Sequence, residues 1–94
     1  MTIASFDLTG QVAVVTGSGS GIGQTIAVGL AESGADVVIT ELPGKEEAAQ
    51  KTAAEVEKRG QQALTVTLDV TRLETIRDMV SQVVDHFGKI DILV

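Results

Sequence analysis

The chain contains no cysteine, no tryptophan, no tyrosine and no asparagine, and only one proline and one histidine, in 94 residues. Without cysteine there is neither a disulfide frame nor a thiolate metal site, and no metal is expected. Basic residues are also scarce. Seven lysines and arginines stand against 13 acidic residues, for a formal charge of −6, and they form no cluster. Nucleic-acid affinity depends on basic side chains that neutralise phosphates, so no DNA or RNA partner is expected. No apolar run approaches the roughly 20 residues that cross a bilayer, so no membrane segment is expected. The opening MTIASFDLTG lacks the basic and apolar regions of a secretory leader. A soluble, cytoplasmic chain forming one small domain, 1–94, is the expectation.

What is present is an alternating pattern. Val12-Ala13-Val14-Val15 is apolar at every position, as a strand buried on both faces of a parallel sheet should be. A glycine-rich turn follows, then a helix from about Ile22 to Ser33 with Ile22, Ile26, Ala27 and Leu30 on one face and Gly34 beyond its end. Val37-Val38-Ile39-Thr40 is a second buried strand, ending at Glu41. Pro43-Gly44 then precede a charged, alanine-rich helix from about Lys45 to Arg59, closed by Gly60. Ala63 to Leu68 is the third strand, leading to Asp69-Val70. Thr71 with Glu74 three residues on has the spacing of a capping box. The helix it opens carries Leu73, Ile76, Met79, Val80 and Val83 on one side and stops at Gly88, before a fourth apolar run, Ile92-Leu93-Val94. The order β-α-β-α-β-α-β predicts an α/β fold with a doubly wound parallel sheet, because crossovers between parallel strands are right-handed. For the first half of a Rossmann dinucleotide fold the strand order is 3-2-1-4.

Between the first strand and first helix stands Thr16-Gly17-Ser18-Gly19-Ser20-Gly21-Ile22-Gly23. So many residues without a Cβ permit a tight turn and a close ligand approach. The helix that follows offers free N–H groups and the positive end of its dipole, which suit a pyrophosphate. A plain connecting turn is the alternative, but the loop sits where such folds bind ligands. The spacing is not that of a P-loop, since Gln24 follows Gly23 and the lysine is missing. Nor is it G-x-G-x-x-G. What fits is T-G-x-x-x-G-I-G, read on Thr16, Gly17, Gly21, Ile22 and Gly23.

This pattern resembles the cofactor fingerprint of the short-chain dehydrogenase/reductase family. The extended members of that family space their glycines as T-G-x-x-G-x-x-G, which Ser20 breaks. The resemblance runs along the chain. Asp7-Leu8-Thr9-Gly10-Gln11-Val12-Ala13 is similar to the family's lead-in to its first strand. Asp69-Val70 resembles the pair that holds the adenine ring, and Ile90-Asp91-Ile92-Leu93-Val94 the approach to an N-N-A-G motif. The resemblance implies a cofactor site built on Gly17, Gly19, Ser20, Gly21, Ile22, Gly23, Glu41, Asp69 and Val70.

Glu41, 18 residues past Gly23, is placed to accept from both ribose hydroxyls of the adenosine, and its charge would repel a 2′-phosphate. Leu42-Pro43-Gly44 supply no basic residue. The position before the second motif glycine, often basic in members that prefer NADP, is Ser20. Both signs point to NAD, although Lys45 leaves NADP open. His86, late in a helix where a cation suits the dipole, is read as a surface residue.

In the resembled family a tyrosine assisted by lysine, serine and asparagine handles the proton, and hydride passes between the nicotinamide and an alcohol or carbonyl carbon. A positioned proton donor is essential to such chemistry, and this chain has neither tyrosine nor asparagine. No catalytic residue is assigned, and the chain alone is expected to be inactive. The resemblance implies an NAD-binding N-terminal part of an oxidoreductase, a homo-oligomer when complete, acting on a small-molecule alcohol or ketone of unassigned identity. The alternative is a stand-alone half-domain, a nucleotide-binding or self-associating module. The stop within an apolar strand favours the first.

Overall fold

A computed structural model of the chain describes residues 7–94. The opening segment 1–6, read above as no leader, lies outside the described residues. Four strands and three helices alternate: β1 (Val12–Val15), α1 (Gly21–Glu32), β2 (Asp36–Glu41), α2 (Glu46–Lys58), β3 (Ala63–Thr67), α3 (Leu73–Phe87) and β4 (Ile92–Leu93). The strands form one parallel sheet in the order β3-β2-β1-β4. The predicted class and order are therefore observed, with helix ends shifted by about one residue, as helix boundaries commonly are.

Successive strand residues point to opposite faces, and this divides the core. On one face Val15, Val37 and Ile39 pack with Ala27 and Ala31 of α1 and Ala49, Ala53 and Val56 of α2. On the other, Val12, Val14, Val38, Val66 and Leu68 pack with Met79 and Val83 of α3. Burial of both faces explains why β1 and β2 are apolar without alternation. The helices on the first face present alanines, which bring their backbones close to the sheet.

Three expectations are corrected. Ile22, placed on the buried face of the first helix, is 82% exposed, and the buried residues of α1 are Ala27 and Ala31. The first turn of α1 lies past the carboxyl end of β1, where there is no strand to pack on. Leu73 and Val80 are likewise exposed at 57% and 40%, so the buried stripe of α3 is narrowed to Met79 and Val83, with Ile76 beside them. The Thr71–Glu74 capping box does not form. Arg72 holds the N-cap position, without a side-chain cap. Thr71 turns back to Asp69, and Glu74 pairs with Arg72 at 2.6 Å. Thr75 does the tying instead. Its hydroxyl oxygen accepts from the Asp69 N–H (3.1 Å) and its O–H faces the Asp69 carbonyl at 2.7 Å.

Strand β4 is held to β1 by a side chain as well as by the ladder. The Asp91 carboxylate accepts from the Val12 N–H at 2.8 Å and from Lys89 Nζ at 2.9 Å. The Lys89 contact, then the Val12 N–H, holds the Asp91 carboxyl below its ordinary value of 3.8. A carboxyl with a depressed folded-state pKa stabilises the fold above 3.8, and that contribution is lost as pH falls through the folded value. Thermal melts across pH should show Asp91→Asn less stable than the parent near neutrality, with the gap closing in acid below 3.8. A gap that stays constant through acid would show that Asp91 contributes nothing through its charge.

Candidate functional site

The carboxyl ends of β1, β2 and β3 converge on one cleft of about 300 Å³, lined by Thr16, Gly17, Thr40, Glu41, Leu42, Leu68 and Val70. Open parallel α/β sheets present their ligand sites at this edge. The geometry is set by a short, buried polar network that sequence reading missed. Ser18 and Thr40 are both fully buried. Ser18 Oγ donates to the Val15 carbonyl at 2.7 Å and accepts from the Thr40 N–H at 3.1 Å, and Thr40 Oγ1 donates to the same carbonyl at 3.1 Å. The Ser18 N–H donates to the Thr40 carbonyl at 3.0 Å. With every one of these groups partnered, the network holds the turn against the end of β2. The available signal was two small hydroxyl residues at the ends of apolar runs, Thr16-Gly17-Ser18 and Val38-Ile39-Thr40.

Upon this anchor the glycines fall into different roles. Gly17 and Gly21 both have φ of 60°, the left-handed region that disfavours a side chain, and no described atom lies within 4 Å of where a Cβ would stand. Their backbone is therefore open where a Cβ would stand. Gly23 is closed: a Cβ there would lie 2.3 Å from the Gly17 carbonyl oxygen. It allows α1 to start directly beneath the turn. Ser20 is the N-cap of α1, extended at φ −160°, with no side-chain cap and no acidic residue in the first turn. The first N–H groups of a helix have no intrahelical partner, and here the first turn itself carries no acidic side chain to compete at the positive end of the dipole. Gly21 and Ile22 are exposed beside it.

Glu41 faces the loop. One carboxylate oxygen accepts from the Gly19 N–H at 2.9 Å and the other from the Leu42 N–H at 3.2 Å. Across the cleft, Val70 is 64% exposed. Asp69 Oδ1 accepts from the Thr71 N–H at 3.0 Å and the Thr71 O–H at 2.6 Å. Those two bonds, the hydroxyl first, hold the Asp69 carboxyl below its ordinary range and keep it charged. Gly17, Glu41 and Val70 thus share one cleft, with Gly19 bonded to Glu41 and Ser20 to Gly23 running away along the start of α1. His86 is exposed on α3, with its ring edge-on to Phe87 at 4.5 Å. Among the described residues no group of three or more metal-ligating side chains exists, and no helix is long and apolar enough to cross a membrane.

A family model described as short chain dehydrogenase matches residues 11–94. The chain belongs to the short-chain dehydrogenase family. Among relatives of known name, it is 43% identical over 90 residues to a short chain dehydrogenase/reductase of Aspergillus oryzae, covering 95% of this chain and 34% of that protein. To a versicolorin reductase of Emericella nidulans it is 39% identical over 89 residues, covering 95% and 33%. The crystal structure of a short-chain type dehydrogenase/reductase from Mycobacterium marinum superposes with a TM-score of 0.88 at 36% identity, covering 99% of this chain and 37% of that one. The chain spans about a third of the length of the short-chain dehydrogenases it matches.

Proposed function

We propose that this chain is the NAD-binding part of an oxidoreductase that transfers hydride between NAD and an alcohol or carbonyl compound. The observation that carries the reading is the Glu41 carboxylate docked at 2.9 Å on the glycine loop, at the edge of the sheet where dinucleotides bind. The open backbone at Gly17 and Gly21 and the uncapped start of α1 fit a pyrophosphate. Glu41 would accept from the adenosine ribose hydroxyls and repel a 2′-phosphate. Asp69, held charged by Thr71, would accept from the adenine amino group, with the Val70 backbone beside it. Ser20 and Ile22 complete the approach to the first helical turn. When bound, the dinucleotide supplies the hydride donor or acceptor. The residues of this chain bind and orient it, and none of them is placed to move the substrate proton, so the chain alone is inactive. The whole protein, on this reading, is a cytoplasmic homo-oligomer acting on a small alcohol or ketone. The coverage of about a third of each relative supports this over a free-standing module.

Calorimetric titration with both dinucleotides tests the assignment. The unchanged protein should bind NAD more tightly than NADP. Loss of hydrogen bonds to a charged acceptor is worth about 1.5–3 kcal/mol, so Glu41→Ala should weaken NAD binding by about tenfold or more while NADP binding holds or improves. Equal affinity of the unchanged protein for the two would sink the NAD assignment.

A further inference from the structure

Gly19 stands apart from its neighbours in the loop. Gly17 and Gly21 occupy the left-handed region, but Gly19 does not, so its backbone would accept a side chain without strain. What excludes one is Glu41. A Cβ at position 19 would lie 2.7 Å from Glu41 Cγ and 2.8 Å from Glu41 Oε2, with the Ala48 Cβ at 3.1 Å closing a further side. The same Oε2 accepts the Gly19 N–H. The absent side chain and the docked carboxylate are therefore two halves of one arrangement. Because the glutamate is a flexible side chain, an added methyl would displace it more readily than it would unfold the loop.

We propose that Gly19 is a specificity-determining position: its missing Cβ is the condition for the Glu41 carboxylate to dock on the loop, and discrimination between NAD and NADP is set by positions 19 and 41 together. The inference rests on the dinucleotide reading above. Gly19 acts through Glu41 and is a positioning residue. A side chain at 19 costs selectivity even though Glu41 is still present.

The test combines two measurements on the protein and on its Gly19→Ala, Glu41→Ala and double variants. Water-exchange NMR of the residue-19 amide, without nucleotide, reads the docking contact directly. It should be protected in the parent and exposed in both single variants. Protection that survives in Gly19→Ala would overturn the proposal. Calorimetry with NAD and NADP reads the consequence. Gly19→Ala should lose about tenfold in NAD affinity, the scale of one hydrogen bond to a charged group, and the NAD-to-NADP ratio should fall with it. In the Glu41→Ala background the same substitution should add less than about twofold, because the two residues act as one unit. An unchanged ratio in Gly19→Ala, or equal losses in both backgrounds, would overturn the proposal. Should Gly19→Ala fail to fold, a folded double variant still locates the conflict at Glu41, and an unfolded one refutes it. If the parent binds neither nucleotide while its amide is protected, the contact stands but the dinucleotide reading fails, and the specificity role falls with it.

Discussion

Gly23→Ala should abolish nucleotide binding and lower the melting temperature by several degrees, up to about 20 °C, although alanine is the better helix former. The two effects oppose each other, and magnitudes decide between them. Replacing glycine by alanine inside a helix contributes roughly 0.5–1 kcal/mol of stability on propensity alone. At Gly23, however, the new Cβ would stand 2.3 Å from the Gly17 carbonyl oxygen, 3.0 Å from its carbon and 3.1 Å from Ser18 Cα. These are backbone atoms that no rotamer change can move. Ser18 is also pinned by its bonds to Val15 and Thr40, so α1 and the loop must separate. Overpacking of this kind costs about 1–3 kcal/mol, occasionally more, and each kcal/mol shifts the midpoint of a domain this small by roughly 4–8 °C. The separation also spoils the alignment of the turn with the first N–H groups of α1, which is why binding fails together with stability. Gly29→Ala is the control. Gly29 lies in the same helix with no described atom outside its own helix backbone within 4 Å of a Cβ, and no left-handed backbone. That substitution should raise the melting temperature by a few degrees, in line with propensity. A thermal melt of the two variants side by side separates packing from propensity. Two variants that both stabilise would show that the close approach at Gly23 is absent in solution.

Ile39→Ala should cost about 2–5 kcal/mol, enough to leave a domain of this size partly unfolded at ambient temperature. Ile39 is the largest fully buried side chain among the described residues, and four of the five buried helix residues in its cluster, Ala27, Ala31, Ala49 and Ala53, are short, Val56 being the fifth. Alanines cannot reach into a cavity, and helices already lying close to the sheet have little room to follow. The site should suffer too, because Thr40 and Glu41 continue the same strand. Ile39→Val, which removes one methyl group, should cost only about 0.5–1.5 kcal/mol. Urea unfolding of both variants measures the difference. A loss below about 1 kcal/mol for the alanine would mean that the alanine-lined face repacks freely.

The sheet was legible in the sequence because burial on both faces leaves an unmistakable mark: uninterrupted Val, Ile and Ala at β1 and β2. The glycine loop was legible for a different reason, since four glycines within seven residues, Gly17, Gly19, Gly21 and Gly23, mark a turn that has no room or no backbone freedom for side chains. What sequence could not convey were relations across the chain. Ile22 and Leu73 have the right helical spacing but sit in first turns beyond the strands, and periodicity does not record where the sheet ends. Thr71 and Glu74 have capping-box spacing, yet Asp69 captures the Thr71 hydroxyl first at 2.6 Å, and Thr75 takes over the work of tying the turn. Ser18 and Thr40 are 22 residues apart, and nothing local marks them as partners. The offset of Glu41 from the loop marks it in the sequence, but its docking on Gly19 depends on space that a Cβ would fill, which only the folded chain defines.

On the proposed function, the cleft at the carboxyl edge of the sheet receives the dinucleotide. Titration of the protein with NAD, followed residue by residue through backbone amide shifts, tests it most directly. Perturbations should be confined to Gly17–Gly23, Glu41–Leu42 and Asp69–Val70, with α3 beyond its first turn unaffected. Saturable shifts centred elsewhere, for instance on the small cavity between Glu46, Gln50 and Thr65, or no shifts at millimolar NAD, would contradict it.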